Sequence, residues 1–249
     1  MSVDTAIILA AGLGSRIAEF SRTAPKGFIP IAGRPIVERS IEILADHGIR
    51  RVIIGTGYRA HDYEALARRT GSLEIECVHN PDFAGSGSLE TFLRCSVGLE
   101  CSFLTLESDL LFDARMIGTV LECPAPNVIL ASHATHSGDE VYIETDDRAH
   151  LVALSKDRTA LRRIDAELVG ICKLTPAIPA AVERWLAAMS LPRPAQLHYE
   201  EGLAGIANTV PLPVETTPLP WTEIDTLQHL DRAEALIWPR IVSRSEFSA

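Results

Sequence analysis

Two glycines, a guanidinium and an ammonium follow directly on the apolar run Ala6-Ile7-Ile8-Leu9. They lie in Leu9-Ala10-Ala11-Gly12-Leu13-Gly14-Ser15-Arg16 and, a little further on, in Ala24-Pro25-Lys26. Glycines let a backbone turn sharply and bring its N–H groups close to an anion. Arg16 can fork onto phosphate oxygens, and Lys26 adds a compact, mobile charge. Together these residues suit a phosphate-binding loop at the end of a strand. A dinucleotide fingerprint is disfavoured, because Ile17 stands where its third glycine belongs. A Walker loop is disfavoured too, because no lysine follows Gly14. An ordinary strand-to-helix turn is the plainer alternative, but it gives Arg16 and Lys26 no work.

Two carboxylates stand out. Asp109 ends the apolar stretch Leu104-Thr105-Leu106-Glu107-Ser108-Asp109 and is followed by Leu110-Leu111-Phe112. An acid so placed can coordinate a hard cation such as Mg²⁺, or it can serve as a turn or helix-cap aspartate. Asp225, in Pro220-Trp221-Thr222-Glu223-Ile224-Asp225-Thr226, lies just before a helical pattern and reads equally as its N-cap.

The glycine loop with its Pro-Lys pair resembles the nucleotide-binding signature of small nucleotidyltransferases, which join an NTP to a phosphorylated small molecule. Trp221 to Thr226 is similar to a segment of the phosphocholine and 2-aminoethylphosphonate cytidylyltransferases that precedes their last helix. The resemblance implies Mg²⁺ held by Asp109 and Asp225. It implies nucleotide contacts from Leu9, Ala10, Ala11, Gly12 and Gly14, and from the small-residue turn Ser86-Gly87-Ser88. It implies catalytic roles for Arg16, on the β and γ phosphates, and for Lys26, between the α-phosphate and the acceptor. Lys156 and Glu167 match positions near the acceptor; Tyr199, Glu200 and Trp221 could form an aromatic and acidic box for an ammonium group. Each has a structural alternative: a helix-start turn with Ser88 capping, a surface lysine, a core tryptophan, solvated glutamates. Glu223 supports the site or is solvated. The implied reaction couples CTP to a small phosphate or phosphonate and releases pyrophosphate. A sugar-1-phosphate or inositol-phosphate nucleotidyltransferase is the alternative within the class. A non-catalytic regulatory subunit that binds nucleotide and a partner, and a dehydrogenase, are alternatives outside it.

The elements that must carry these residues alternate in type. Strand patterns over 5–9, 51–55, 73–78, 101–106 and 128–132 are interleaved with helical patterns over 35–47, 62–69, 88–96 and 114–122. This rhythm predicts an α/β fold, Rossmann-like, with a mostly parallel sheet and helices on both faces; ligands then bind at the carboxyl ends of its strands. Beyond it come a hairpin pairing 141–143 with 151–153, a strand over 169–174, helices over 178–189, 199–207 and 227–237, an extended piece at 214–215 and a proline-rich loop at 191–195. That gives one domain over 1-249, with a nucleotide-binding half (1-135) and a partly antiparallel, acceptor-binding half (136-249).

Composition sets bounds. At 249 residues and 47% hydrophobic, the chain can bury a sizeable core. A net charge of −10 argues against a nucleic-acid surface while leaving nucleotide binding open. The five cysteines are odd in number and lack C-x-x-C spacing, which suits buried free thiols in a reducing compartment. No apolar run approaches the ~20 residues of a bilayer span, so membrane insertion is not expected and a cytoplasmic location is. A homodimer is left open.

Overall fold

The computed structural model describes residues 3–71, 73–190 and 196–245. The proline-rich loop expected at 191–195 lies outside the described residues. In chain order the strands are β1 (Thr5–Ala10), β2 (Pro30–Ile31), β3 (Arg34–Pro35), β4 (Arg51–Thr56), β5 (Glu74–His79), β6 (Phe103–Glu107), β7 (Leu110–Phe112), β8 (Val128–Ser132), β9 (Tyr142–Thr145), β10 (Leu151–Ser155), β11 (Ala166–Leu174), β12 (Val214–Thr217) and β13 (Trp221–Glu223). The helices are α1 (Ala18–Ser21), α2 (Ile36–Asp46), α3 (Ala60–Arg69), α4 (Ser88–Cys95), α5 (Arg115–Glu122), α6 (Ala177–Ala188), α7 (Tyr199–Ile206), α8 (Leu227–Arg232) and α9 (Trp238–Ser245).

β6, β1, β4 and β5 lie side by side and parallel, as the alternating pattern requires. The second half of the chain then reverses direction. β11 runs antiparallel to β6, β8 and β9, and β12 rejoins the sheet parallel to β8. The hairpin predicted from 141 to 153 is present, with a bulge between Leu151 and Ala153.

Strand parity divides the core. Successive side chains of β1 point to opposite faces. Ile7 and Leu9 therefore pack with Phe92, Phe103, Leu203 and Ile206, under α4, α6 and α7. Ala6, Ile8 and Ala10 pack with Val37, Leu44, Leu66 and Ile117, under α2, α3 and α5. A third cluster is small and concerns the site. Ile17, Ile29, Leu111, Ile224, Ile237 and Ile241 are buried together. It fastens the residues next to Arg16 and Asp225 to the C-terminal helix.

That helix extends beyond the end expected at Ile237. It passes through a π turn at Ala233–Ile237 and continues as α9. Pro239 has no N–H to give to the preceding turn, and the wider turn accommodates it. Arg39 lies over the Trp238 ring, 4.1 Å from its centroid, and ties α9 to α2. Of the cysteines, Cys95 and Cys172 are buried as expected, Cys77 and Cys123 are half-buried and Cys101 is exposed. Burial pushes the Cys95 thiol up to about 12, so it stays an inert thiol. Among the described residues no helix is long and apolar enough to cross a membrane.

Gly87 caps α4 with an extended backbone. A Cβ there would stand 1.9 Å from the carbonyl oxygen of Leu197, which is backbone and cannot turn aside. Gly87→Ala is therefore expected to lose about 1–3 kcal/mol of stability in urea unfolding, an overpacking cost. An unchanged midpoint would show that the 196–198 segment is free to move off.

Candidate active site

The carboxyl ends of β1, β5 and β6 open onto one cavity of about 420 Å³. After β1 the chain turns through Ala11 to Gly14, whose φ of +63° suits a residue without a Cβ. A Cβ at Gly14 would also lie 2.9 Å from Lys26 Cγ and 2.4 Å from Ser21 Oγ, so the loop packs directly on the lysine. Leu9, Ala10, Ala11, Gly12, Gly14, Arg16 and Lys26 all line the cavity. So do Ser86, Gly87 and Ser88 on the opposite wall. There Ser86 Oγ accepts from Asn80 Nδ2 at 3.0 Å. Ser88 does not cap its own helix. Its Oγ accepts the backbone N–H of Tyr199 at 3.0 Å and so fastens α7 to α4.

Asp109 and Asp225, 116 positions apart in sequence, come together through a two-stranded ribbon. β7 begins at Leu110 and pairs antiparallel with β13, with Leu110 opposite Glu223. Ile224 N donates to the Asp109 carbonyl at 3.0 Å, which locks the ends of the ribbon. Neither aspartate is a cap: Thr226 caps α8, accepting from His229 N. Instead the Lys26 ammonium contacts both carboxylates, and Arg16 Nη2 reaches Asp225 Oδ2 at 2.5 Å. The other arm of Arg16 meets Asp139, which also holds Lys156 Nζ at 2.9 Å.

These contacts set the charge states. Burial raises the Asp225 carboxyl, but the Lys26 ammonium and the hydrogen bonds with Lys26, Glu223 and Asp139 together outweigh it and hold the group well below the usual carboxylate range. Burial lowers Lys26, but Asp109 and Asp225 outweigh it and raise the ammonium. Glu107 and Glu223 go the other way. Burial pushes both well above the ordinary glutamate range; Glu200 and Asp109 add to this at Glu107, and Asp109 and Glu107 add to it at Glu223.

A raised carboxyl pKa stabilises the fold below the unfolded value, and the benefit is lost as pH rises through the folded value. Glu107→Gln removes that cost. We expect it to raise the melting temperature at pH 8 by ~3 °C, with a smaller gain at pH 5. An equal gain at both pH values would show that charge burial is not the cause.

The oxygen donors form two groups that share Glu223. Glu107, Asp109 and Glu223 offer oxygens within 4.8 Å of one another, and so do Asp139, Glu223 and Asp225. Carboxylate oxygens alone, already drawing an ammonium between Asp109 and Asp225, suit a hard divalent cation.

Lys156, Glu167, Glu200 and Trp221 line the same cavity. Lys156 is half-exposed, and Glu167 is buried, accepting from Thr135 Oγ1 at 2.9 Å. Trp221 is both wall and core, its indole N–H given to Ser132 Oγ at 2.9 Å. Tyr199 departs from the expected box. It is 1% exposed, does not line the cavity, and packs its ring near Phe92. Helix spacing explains this: Tyr199, Leu203 and Ile206 share the buried face of α7, while Glu200 is turned aside. Glu201 is a cap residue, accepting from His198 N at 2.7 Å.

Asp139, Thr135, Ser137 and His229 also line the cavity, and no motif or periodicity marks them. His229 Nδ1 accepts from Asp225 N at 3.4 Å, and its Nε2 lies 3.3 Å from the Ser137 carbonyl. This pair of contacts assigns the proton to Nε2.

A mostly parallel central sheet with a glycine loop, two cations and a ring of carboxylates at its strand ends defines a nucleotidyltransferase-type domain. The chain belongs to the MobA-like NTP transferase domain family, whose model it matches over residues 6–171. It is 31% identical over 128 residues to the CMP-5'-(3-aminopropyl)phosphonate synthase of Streptomyces rubellomurinus, across 51% of this chain and 20% of that protein. It is 28% identical over 156 residues to the 2-aminoethylphosphonate cytidylyltransferase of Lancefieldella rimae, across 61% of this chain and 60% of that protein. The match thus spans less than two thirds of either relative. The inositol-1-phosphate CTP transferase of T. maritima superposes with a TM-score of 0.82 at 17% identity, covering 100% of this chain and 99% of that one, which shows the shared fold.

Proposed function

We propose that the protein is a Mg²⁺-dependent cytidylyltransferase. It joins CTP to a small phosphate or phosphonate and releases pyrophosphate. The observation that carries this is the convergence of Arg16, Lys26, Asp109 and Asp225 beside the glycine loop. Similarity to proteins named for aminoalkylphosphonate substrates supports the choice of base and acceptor.

In this reaction an acceptor oxyanion attacks the α-phosphorus, and the bond to the β-phosphate oxygen breaks. Both reactants are anions and the nucleophile is already ionised, so catalysis rests on alignment and charge rather than on a strong base. The Ala11 to Gly14 backbone takes the phosphates, while Ser86, Gly87 and Ser88 bound the nucleoside side. Arg16 neutralises the departing pyrophosphate. Lys26 leaves its two carboxylates to lie between the α-phosphate and the incoming oxyanion. Asp109 and Asp225 would hold Mg²⁺, which supplies charge neutralisation at the α-phosphate. Residues 1-135 provide the nucleotide side, and residues 136-249 bring Lys156, Glu167, Glu200, Trp221 and Asp225 to the acceptor.

Pyrophosphate release with Mg²⁺, each of the four common NTPs and a panel of acceptors tests the proposal. The panel holds phosphocholine, 2-aminoethylphosphonate, simple alkylphosphonates, inositol phosphate and sugar 1-phosphates. Turnover with CTP and a headgroup phosphate or phosphonate is the expected result. Turnover only with a sugar phosphate or inositol phosphate keeps the chemistry and overturns the acceptor. Nucleotide binding without turnover on any acceptor favours a regulatory subunit.

A further inference from the structure

Glu107 ends β6 and lines the cavity. Above it, β11 slips register between Leu168 and Cys172. Gly170 sits in that bulge with φ +88°, and a Cβ there would lie 3.1 Å from Glu107 Oε2. The bulge therefore brings bare backbone over the carboxylate. Glu200, on the first turn of α7, lines the same cavity, and its Oε2 is buried without a hydrogen-bond partner. The Tyr199 hydroxyl is likewise buried without a partner, and Glu107 is the charged group acting on it most strongly. Glu200 is in turn the strongest charged neighbour of Glu107.

An unpartnered buried polar atom forfeits its hydration without return, so such a group is poised for a partner. The cations already in the cavity are engaged elsewhere. Lys26 is held by Asp109 and Asp225, Arg16 by Asp139 and Asp225, and Lys156 by Asp139. Lys26 acts on Glu107, and Lys156 and His198 act on Glu200, but among the described residues no cation forms an ion pair with either glutamate, so both remain open to a cation carried by a ligand.

We propose that Glu107 and Glu200 form a subsite for a primary ammonium at the far end of the acceptor, which is therefore an ω-aminoalkyl phosphate or phosphonate. This deepens the acceptor assignment above and rests on it. A primary ammonium brings three N–H donors, and carboxylate oxygens are acceptors for them. A quaternary ammonium has no N–H to give and is recognised by aromatic faces. The aromatic side chain that adjoins Glu200 in sequence, Tyr199, is turned into the core. Burial of both glutamates makes each bond to a charged donor worth more than it would be in water.

The test compares three acceptors with CTP: 2-aminoethylphosphonate, its N-trimethyl analogue, and propylphosphonate, in which a methyl replaces the ammonium. In the wild type, kcat/KM for the primary amine should exceed that for either analogue by ~100-fold, as for a site whose buried polar groups are otherwise left unpaired. In Glu107→Gln and in Glu200→Gln the amine-to-propyl ratio should fall at least tenfold, chiefly through KM. A wild-type preference for the trimethyl analogue, or a ratio that both variants leave intact, overturns the proposal. Calorimetric titration of the same acceptors onto the CTP-loaded protein reads the same ratio without turnover. If no acceptor reacts but the primary amine alone binds, the transfer reading fails and the ammonium subsite stands. Equal binding of all three sinks the subsite whatever the turnover shows.

Discussion

Lys26→Ala is expected to cut kcat/KM with CTP by about 10³-fold or more, and to destabilise the protein in the same stroke. The ammonium is the common partner of Asp109 and Asp225, whose side chains are 9% and 2% exposed. Removing it leaves two carboxylates facing each other with little water to screen them. Losing one partner of a buried ion pair costs on the order of 3–5 kcal/mol. Urea unfolding of the variant should show a loss of this size without metal. Millimolar Mg²⁺ should restore part of it, because a ligand that binds only the folded state stabilises it by mass action. The activity should stay low even when the stability returns, since the metal replaces the charge between the aspartates but not the mobile cation on the phosphates. Activity within tenfold of wild type would remove Lys26 from the mechanism. Full stability without metal would mean that the aspartates separate when the lysine is gone.

The same pair shows where the sequence is transparent and where it is not. The glycine loop is legible because a strand, two glycines and two cations are local features, and local features survive as patterns. β1, β4, β5 and β6 are legible for the same reason, through alternation with helices of 3.6-residue period. The meeting of Asp109 with Asp225 is not. It depends on β7 and β13, three residues each and 111 positions apart at their starts, which carry no turn signal linking them. The family likeness of Trp221 to Thr226 points to the aspartate; the ribbon that positions it has no sequence period. Asp139 and His229 are illegible in the sequence for a related reason. Asp139 acts through contacts to Arg16 and Lys156 and His229 through the Ser137 carbonyl, all remote in sequence, and neither sits on a patterned face. Tyr199 differs, because its placement has a local signal. Spacing with Leu203 and Ile206 sets it on the buried face of α7, while Glu200, the next residue, is turned towards the cavity.

Asp225→Asn should be the most damaging single carboxylate change, lowering kcat/KM by about 10³–10⁴-fold at saturating CTP and raising the Mg²⁺ concentration needed for half-maximal rate. Asp225 is the residue on which both cations converge: Lys26 contacts one oxygen and Arg16 Nη2 the other, at 2.5 Å. A neutral amide keeps the shape yet offers Lys26 one oxygen and presents N–H groups to the Arg16 side, where donor would face donor. The variant would therefore lose a proposed metal ligand and misalign both Arg16 and Lys26 at once, whereas Asp109→Asn would lose a proposed ligand and disturb Lys26 alone of the two cations. Stability gives an independent signature. A depressed carboxyl pKa contributes stability above the unfolded value near ~3.9, and the contribution is lost as pH falls through the folded value. Wild type should therefore lose stability on acidification from pH 5 towards pH 3 more steeply than Asp225→Asn. A variant with reduced turnover but an unchanged acid limb would place Asp225 in metal binding alone, with the ion pairs to Arg16 and Lys26 contributing nothing to the fold. An unchanged Mg²⁺ requirement, with the acid limb flattened, would make it the anchor of the two cations and move the metal to Asp109 and Glu223.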